Sequence, residues 1–496
     1  MLFGDSAFKF GRPLSIYRLA SHLRKNGITC QPLWAWSQIS SSDFQKICQK
    51  FLSSETEVVG ISTTLLKQSQ RSLSPSKSSF WGIPTEELIS RIKLIRNLAP
   101  NAKLVVGGSQ LPAVPLTSIP CYEQIDCFVT GQGENSLLAI IEAQQNKKRL
   151  QTLQPNPPLI TQEQYPYNDF VNSTTEYAHS DAIVPGEAMG YEFARGCIFK
   201  CSFCTYDLTG KNKNDYNKSV DLITNELKKN YDQHGITHYI AVDDLLNDSE
   251  DKINVILDVA ERLPFDLTYS AFVRLDMLRR FPTMASKLKQ SGLVGAFMGI
   301  ETINDASGKS VGKGLGKQRI NEALAVVNES WNNEIVVEGS FILGLPHDNA
   351  ETKYELLEWL QSPVVKKAIQ YISINALGIN SYRKISEIDI NPESFGYTFD
   401  SNGRWQLGSY TWQQATEDSN WVRTQYYADR KYNASPGISV FNLPHLLSIT
   451  DCRQDVLDVV LHDRSTRWNS RQEWLRWTTQ QFEHHRKRCI DLLLER

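Results

Sequence analysis

Apolar and polar positions alternate in blocks along the first 144 residues. Short apolar runs typical of buried strands occur at MLFGD, EVVGISTT, KLVVGGSQ and IDCFVTG. Segments with apolar residues near helical spacing lie between them, such as PLSIYRLASHLRKNG and EELISRIKLIRNLAP. This alternation predicts an α/β domain over residues 1–144, with a doubly wound parallel sheet wrapped by helices.

The next segment changes in composition. Residues 145–188 are rich in Pro, Gln, Asn and Thr and lack sustained periodicity, which predicts a linker between domains. Within the first domain, the Ser, Lys and Gln residues from Lys67 to Ser79 predict a surface loop.

In residues 189–380, strand-like and helical segments alternate again, and more regularly than in the first domain. Six strand-like runs occur here: GYEFARG, HYIAVDD, DLTYSAFV, GAFMGIE, VVEGSFILGL and QYISINALGI. Helical stretches such as SVDLITNELKKNYDQHG and DKINVILDVAERL separate them. Six strand-helix repeats are too few for an eight-fold barrel and predict a partial (β/α)6 barrel, whose catalytic groups cluster at the carboxyl ends of the strands.

Composition and charge narrow the class of protein. The chain has 496 residues, 41% apolar residues and a net charge of -2, which predicts two or three globular domains and argues against broad electrostatic binding of nucleic acid. No apolar run is long enough to span a membrane, and MLFGDSAFKFGR lacks the apolar core of a signal peptide. We therefore expect a cytoplasmic protein without membrane partners, in which clustered cysteines are metal ligands or redox groups.

Three of the nine cysteines, Cys197, Cys201 and Cys204, fall in ARGCIFKCSFC after the first strand of the barrel. Three thiolates can hold three irons of a 4Fe-4S cluster and leave the fourth iron open to a small molecule. A structural zinc site would need a fourth Cys or His nearby, and the next histidines, His234 and His238, are about thirty residues downstream. Zinc and an inert group of core cysteines are the two alternatives.

The C-x3-C-x2-C spacing resembles the radical S-adenosylmethionine (SAM) superfamily, and the resemblance extends over residues 1–380. It implies that the three cysteines bind a catalytic 4Fe-4S cluster and that SAM binds beside it. The backbone of Phe203 then meets the adenine, Asp243 and Asp244 in AVDDLL receive the methionyl ammonium, and Arg274 in AFVRLD meets the SAM carboxylate. By the same resemblance, Glu301 in GAFMGIET faces the ribose, and the backbone from Ile342 to Gly344 in FILGLPHD lines the adenine.

The first domain resembles the cobalamin-binding domain of one branch of this superfamily, in FGRPLSIYRLASHLRKNG, LVVGGSQ and VTGQGE. Small or polar residues follow three predicted strands, where an open α/β sheet binds ligands, and the resemblance suggests them as cobalamin contacts: Ser62, Thr63, Gly107, Gly108, Gly131 and Gly133. The alternative is that these glycines only make tight turns. The branch's D-x-H-x-x-G motif is absent because Ser6 and Ala7 follow Asp5, and His22 lies in a predicted helix. A histidine ligand below the cobalt is therefore not expected.

The resemblance implies reductive cleavage of SAM and hydrogen abstraction from a substrate, with electrons from an external donor such as a flavodoxin or ferredoxin. With cobalamin, the implied reaction is methyl transfer to an unactivated carbon. Without it, the barrel would run an oxidation, rearrangement or ring closure, and a cluster-bearing binding module without catalysis is a further alternative. A methylthiotransferase needs three cluster-binding cysteines in the first domain. The four cysteines there do not match that pattern and are interpreted as buried, inert thiols: Cys30, Cys48, Cys121 and Cys127.

Residues 381–496 predict a mostly helical C-terminal cap in which substrate choice resides. The cap is dense in aromatic residues, which form its core, line a substrate pocket or stack on bases: Trp405, Tyr410, Trp412, Trp421, Tyr426, Tyr427, Trp468, Trp474 and Trp477. Cys452 and Cys489 are interpreted as core residues. Nothing in the sequence identifies the substrate or indicates nucleic acid.

Overall fold

A computed structural model describes residues 1–5, 11–63, 69–70, 78–108, 111, 116–205, 216–379, 386–433 and 438–495. The chain divides into two compact units, Met1–Val184 together with His485–Arg496, and Pro185–His484. Among the helices in these ranges, none combines the length and the apolar character that crossing a membrane requires.

The first unit is built on a parallel sheet. Its described strands are β1 (Leu2–Gly4), β2 (Pro32–Trp34), β3 (Val58–Ser62), β4 (Ser69–Gln70), β5 (Ser78–Phe80), β6 (Ile83–Pro84), β7 (Lys103–Gly107), β8 (Cys127–Thr130), β9 (Gln154–Pro155) and β10 (Pro158–Thr161). Its N-terminal helices are α1 (Leu14–Lys25), α2 (Ser41–Phe51), α3 (Thr85–Leu98) and α4 (Glu134–Gln144).

The strand order of the main sheet is β2-β1-β3-β7-β8-β10-β9, parallel except for β9. The first five strands follow the flavodoxin-like doubly wound order, in which ligands bind at the carboxyl ends beside the reversal between β1 and β3. The predicted doubly wound sheet is confirmed. Residues 154–161, within the predicted linker, add two strands to it.

The surface loop predicted from Lys67 to Ser79 falls largely on residues 67–68 and 71–77, which lie outside the described residues. The described parts, β4 and β5, pair with β6 in a small antiparallel sheet.

Apolar side chains from several elements fill the core of the first unit. Phe3, Trp36 and Phe44 are buried together, with ring centroids 5.6 to 6.5 Å apart. Ser40 caps α2 by accepting a hydrogen bond from the Asp43 backbone N–H at 3.1 Å. This cap fixes the start of a helix whose buried face completes the core.

The second unit is built on a six-stranded parallel sheet in sequential order. The strands are β11 (Met189–Tyr191), β12 (His238–Ala241), β13 (Thr268–Val273), β14 (Leu293–Glu301), β15 (Val336–Leu343) and β16 (Tyr371–Ala376). The helices are α5 (Val220–His234), α6 (Glu250–Arg262), α7 (Leu275–Arg280), α8 (Thr283–Gln290), α9 (Asp305–Ser310), α10 (Lys317–Trp331), α11 (Thr352–Leu360) and α12 (Pro363–Ala368). All six predicted strands are present in parallel order, as a partial (β/α)6 barrel requires.

The C-terminal region adds α13 (Glu387–Ile390), β17 (Tyr397–Phe399), β18 (Trp405–Leu407), β19 (Tyr410–Thr411), α14 (Trp412–Tyr427), α15 (Leu443–Ser448), α16 (Arg453–His462) and α17 (Arg471–Glu495). The predicted helical character is confirmed, while the antiparallel sheet β17-β18-β19 is an addition. Residues of α17 from His485 onward belong to the first unit.

The aromatic residues of this region mostly serve packing. The Tyr427 hydroxyl accepts from the Ile372 backbone N–H at 2.8 Å, and Trp405 donates to the Leu377 carbonyl at 2.7 Å. Trp468 packs on Trp474 with ring centroids 4.6 Å apart. These contacts favour the core interpretation over a base-stacking surface.

Candidate functional site

The three clustered cysteines lie on the loop that follows β11. Cys197, Cys201 and Cys204 are all half-buried, and the Cys204 backbone N–H donates to the Cys201 carbonyl at 2.9 Å. Burial raises the pKa of the Cys197 thiol to about 11. A metal that binds this thiol must therefore displace its proton.

The number of thiols bears on which metal group they suit. A structural zinc ion takes four protein ligands, whereas a 4Fe-4S cluster that leaves one iron open takes three thiolates, each on a different iron. The loop carries three cysteines. They therefore provide the donor set of a cluster with one iron left open.

The middle of the cysteine loop is held by backbone contacts on two sides. The Ser202 N–H donates to the Val311 carbonyl at 3.2 Å, and its carbonyl accepts from the Ile388 N–H at 2.9 Å. The loop is thus tied to the segment after α9 and to α13, which limits its freedom without using any thiol.

Asp243 is an internal anchor. It is 1% exposed, and its oxygens accept hydrogen bonds from the backbone N–H groups of Phe193 at 3.0 Å and Ala194 at 2.7 Å. Lys252 Nζ lies 2.9 Å from Asp243 Oδ1. These contacts fix the chain just before the cysteine loop and leave Asp243 little capacity for a ligand ammonium.

Asp244 has a different environment. Burial, with the nearby charges of Glu192 and Asp243, raises the pKa of the Asp244 carboxyl to about 7. Within the described part of the chain, no group donates a hydrogen bond to it. Of the two predicted ammonium ligands, Asp244 alone has both oxygens available, and a cation beside it would favour the ionised carboxylate.

Arg274 joins the cysteine loop to neighbouring segments. Its Nη1 lies 3.4 Å from Cys201 Sγ, its Nη2 donates to the Gly312 carbonyl at 3.2 Å, and its Nε donates to Asp276 at 2.7 Å. The guanidinium carbon lies 3.8 Å from the centroid of the Phe199 ring. Arg274 therefore places positive charge beside a cluster ligand and keeps some N–H donors available for a carboxylate.

Glu301 ends β14 in a left-handed conformation, with φ of 68°, at a register shift between β14 and β15. Burial raises the pKa of Glu301, and the neighbouring Lys313 opposes that shift. Lys313 Nζ lies 3.5 Å from Glu301 Oε1 and 5.9 Å from the centroid of the Phe203 ring. The sequence prediction missed Lys313, because one lysine in a glycine-rich loop carries no local signal.

The remaining predicted SAM contacts lie on the cysteine loop and at the end of β15. Phe203 and Ile342 are half-buried. Gly344 is buried, and its carbonyl accepts from the Tyr397 hydroxyl at 2.7 Å. A Cβ at Gly344 would lie 2.2 Å from the Trp405 ring. Packing against β17 and β18 therefore already accounts for glycine at this position.

Replacing Gly344 by alanine should destabilise the second unit. The residue has φ of 90° and no room beside Trp405, so we expect the free energy of unfolding to fall by about 2–4 kcal/mol. Urea denaturation measures this loss. Gly378→Ala is the matched control, because a Cβ there meets no atom within 4 Å. Equal midpoints for the two variants would refute the packing role.

In the first unit, Ser62 of β3 lies beside Gly107 of β7 in the parallel register. The Thr63 N–H donates to the Gly107 carbonyl at 2.8 Å. Gly108 has φ of 126°, and a Cβ there would lie 2.7 Å from Thr63 Oγ1. The sheet brings these four predicted residues together, and their own packing accounts for the glycine at 108.

Gly131 and Gly133 follow β8. A Cβ at Gly131 would lie 2.5 Å from Gln162 Oε1, and one at Gly133 would lie 3.3 Å from Leu19. The alternative stated for these glycines, that they make tight turns, suits Gly131, which has φ of 76°, whereas Gly133 has φ of -97°.

Asp5 is the feature of this sheet edge that points most directly to a ligand. It follows β1 beside the strand reversal, is 0% exposed, and its Oδ2 has no hydrogen-bond partner among the described residues. Ser37 contacts the carboxyl through its side chain and through its backbone N–H, which is 3.5 Å from Oδ1. A buried carboxyl needs donors, so a donor group of a bound cofactor would satisfy it. The sequence prediction considered Asp5 only as part of an absent motif.

Replacing Asp5 by asparagine should stabilise the first unit at high pH. Burial raises the pKa of Asp5 from 3.8 to about 6, so its protonated form contributes stability below pH ~4 that is lost as pH rises through 6. We expect the free energy of unfolding of Asp5→Asn to exceed that of wild type by up to about 3 kcal/mol at pH 8 and by much less at pH 4. Urea denaturation at both pH values measures the difference. If the two proteins differed in free energy of unfolding by the same amount at both pH values, Asp5 would not have a raised pKa.

The sequence interpretation also considered His22 and four cysteines in the first unit. His22 lies two turns into α1, with its ring 5.4 Å from that of Tyr167, beside a cavity of about 80 Å³. Cys30, Cys48 and Cys127 are buried, as predicted.

The first unit holds two further cysteines, Cys121 and Cys489. Cys121 is half-buried rather than buried, and has φ of 63°. Cys489 is buried, with its Sγ 3.5 Å from His485 Nε2.

Comparison with known proteins agrees with this geometry. A family model described as the radical SAM superfamily matches residues 191–360. An uncharacterized methyltransferase of Pyrococcus horikoshii is 24% identical over 362 residues, which cover 69% of this chain and 71% of that protein.

Two solved structures share the fold. The radical SAM methyltransferase TsrM from Kitasatospora setae, solved with tryptophan substrate and a SAM analogue, is 14% identical with a TM-score of 0.63, over 97% of this chain and 99% of that chain. The cobalamin-dependent SAM radical enzyme OxsB, solved with aqua-cobalamin, is 16% identical with a TM-score of 0.53, over 99% of this chain and 72% of that chain. Residues 191–360 are therefore a radical SAM domain, and the chain shares the fold of these two enzymes.

Proposed function

We propose that this radical SAM enzyme transfers a methyl group to an unactivated carbon of its substrate, with cobalamin on the first unit. The observation that carries the radical SAM assignment is the set of three half-buried thiols at the carboxyl end of a six-stranded parallel sheet. Three thiolates suit a cluster with one open iron.

In this proposal the chain's own residues orient SAM at the open iron. When bound, the cluster supplies the electron for reductive cleavage of SAM. Asp244 would receive the methionyl ammonium, and Arg274 would supply donors to the SAM carboxylate. Glu301 would accept from the ribose, and the backbone at Phe203 and Ile342 would meet the adenine.

Cobalamin would occupy the sheet edge at Asp5, Ser62 and Gly107. When bound, it supplies the methyl group that is transferred. Support comes from the flavodoxin-like strand order, from the unsatisfied oxygen of Asp5, and from the cobalamin bound in solved structures of the fold relatives OxsB and TsrM. The chain's part is to donate and accept hydrogen bonds along this edge.

A second candidate is a radical SAM oxidation, rearrangement or ring closure without cobalamin. It is favoured by one observation: the spaces beside Gly108, Gly131 and Gly133 are filled by the chain's own side chains. In this case the first unit is a retained scaffold.

Metal analysis distinguishes the two candidates. The protein is purified anaerobically with iron and cobalamin supplied, and iron and cobalt are measured per chain. About four irons and about one cobalt would support methyl transfer and direct the substrate search to methylated products. Iron without cobalt would exclude cobalamin-dependent methyl transfer and favour the second candidate. A fully iron-loaded protein that never cleaves SAM would contradict both candidates.

The proposal also includes an external one-electron donor, of the flavodoxin or ferredoxin kind, and a cytoplasmic location. The donor is supported because reductive SAM cleavage needs an electron source. The location is supported because the cluster needs a reducing compartment.

A further inference from the structure

The loop after α9 connects two segments of the candidate SAM site. The Gly312 carbonyl accepts a hydrogen bond from Arg274, and a Cβ at Gly312 would lie 3.7 Å from Cys201 Cα. The next residue, Lys313, donates from Nζ to the Gly299 carbonyl at 2.7 Å. Two successive residues therefore contact the cysteine loop on one side and the end of β14 on the other.

The Glu301 carboxylate at that end of β14 is buried but poorly satisfied. Glu301 is 8% exposed, Lys313 Nζ is 3.5 Å from Oε1, and Ser340 Oγ is 3.5 Å from Oε2. Both distances are at the outer limit for hydrogen bonds. A buried carboxylate accepts several short bonds when donors are present, so this group has capacity for donors from a ligand.

The charge of Lys313 decides which ligand donors suit Glu301. A second cation, such as the SAM ammonium, would be repelled by the lysine, whose side chain is only 13% exposed. Asp244 instead sits beside Glu192 and Asp243, two further acids. Neutral hydroxyl donors therefore suit Glu301, and the ribose of SAM carries two.

We propose that Lys313 is a positioning residue for SAM, which holds the Glu301 carboxylate so that it accepts from the ribose hydroxyls. The inference rests on the proposed binding of SAM. The same side chain ties the loop to the Gly299 carbonyl, so ribose recognition and the contact of Gly312 with Arg274 depend on one segment.

Equilibrium dialysis of the iron-loaded protein tests this role with two probes, SAM and the SAM analogue that lacks both ribose hydroxyls. We expect wild type to bind SAM about tenfold more tightly than the analogue, as for a charge-assisted contact. Lys313→Met should lose about tenfold affinity for SAM and keep its affinity for the analogue within about twofold. A merely structural role would weaken both probes equally.

Lys309→Met is the matched control, because Lys309 is an exposed lysine of the adjoining helix α9, and it should leave both affinities unchanged. Glu301→Gln should reproduce the Lys313→Met pattern, and the double variant should lose no more than Glu301→Gln alone. Glu301→Gln also tests the idea if Lys313→Met fails to hold the cluster.

Two results would overturn the inference alone: equal weakening of both probes by Lys313→Met, or no weakening while wild type binds SAM. An iron-loaded wild type that binds no SAM would overturn the proposed function and this inference together.

Discussion

Replacing Cys201 by alanine should abolish iron binding and reductive SAM cleavage. Each thiolate holds a different iron in a 4Fe-4S cluster, so the two remaining ligands cannot retain it. We expect iron to fall from about four per chain to background and SAM cleavage to fall at least ~1,000-fold, equal to ~4 kcal/mol. Cys197→Ala and Cys204→Ala should behave alike. Iron analysis and the visible absorption of the anaerobic protein measure the first effect.

Cys452→Ala is the matched control, since it removes a half-buried thiol of the same unit, 3.1 Å from Thr450 Oγ1. It should keep both iron and SAM cleavage. A triple variant of Cys197, Cys201 and Cys204 that still bound iron and cleaved SAM would refute the assignment of the cluster loop.

Replacing Asp243 by alanine should destabilise the second unit more than any other single carboxylate change described above. The substitution leaves the Lys252 charge buried without its partner, and removal of one member of a buried pair costs about 3–5 kcal/mol. The N–H groups of Phe193 and Ala194 also lose their acceptor. We expect a lower urea midpoint and, because these residues begin the cysteine loop, a lower iron content.

Three variants separate this anchoring role from ligand binding. Asp258→Ala removes an exposed carboxylate of α6, the helix that carries Lys252, and should leave the midpoint unchanged. Asp243→Ala combined with Lys252→Met should recover part of the loss, because no unpaired charge remains. Asp244→Asn should keep the midpoint and the iron but weaken SAM binding. If Asp243→Ala weakened only SAM binding, Asp243 would be the ammonium ligand after all.

The six strands of the second unit could be predicted because strands buried on both faces are continuous apolar runs. The cysteine spacing is also local, since all three ligands lie within eight positions. The strands that the sequence did not predict are short and carry a weak apolar pattern. β2 is three residues long and starts with Pro32, and β17 to β19 are two or three residues each.

The roles within the site depend on contacts that the sequence pattern does not record. Asp243 and Asp244 are adjacent acids in the sequence. Only the fold shows that Asp243 accepts hydrogen bonds from the backbone of Phe193 and Ala194, 50 and 49 positions earlier. Lys313 meets Glu301 because β14 ends at a register shift and the loop after α9 returns to it. The glycines after β7 and β8 stay predicted ligand contacts, and the fold adds the neighbours that a side chain there would meet, which come from other elements.

The end of α17 bears on the order in which the chain can fold during its synthesis. Leu493 is part of the apolar core of the first unit, Lys50 donates to the Leu494 carbonyl at 2.7 Å, and Arg486 donates to Gln38 at 3.0 Å. Most of the first unit emerges early from the ribosome, yet Lys50 and Gln38 meet partners that are translated 444 and 448 positions later. Until those residues are made, the apolar surface that Leu493 covers stays exposed, and a partly folded unit with such a surface is prone to aggregate.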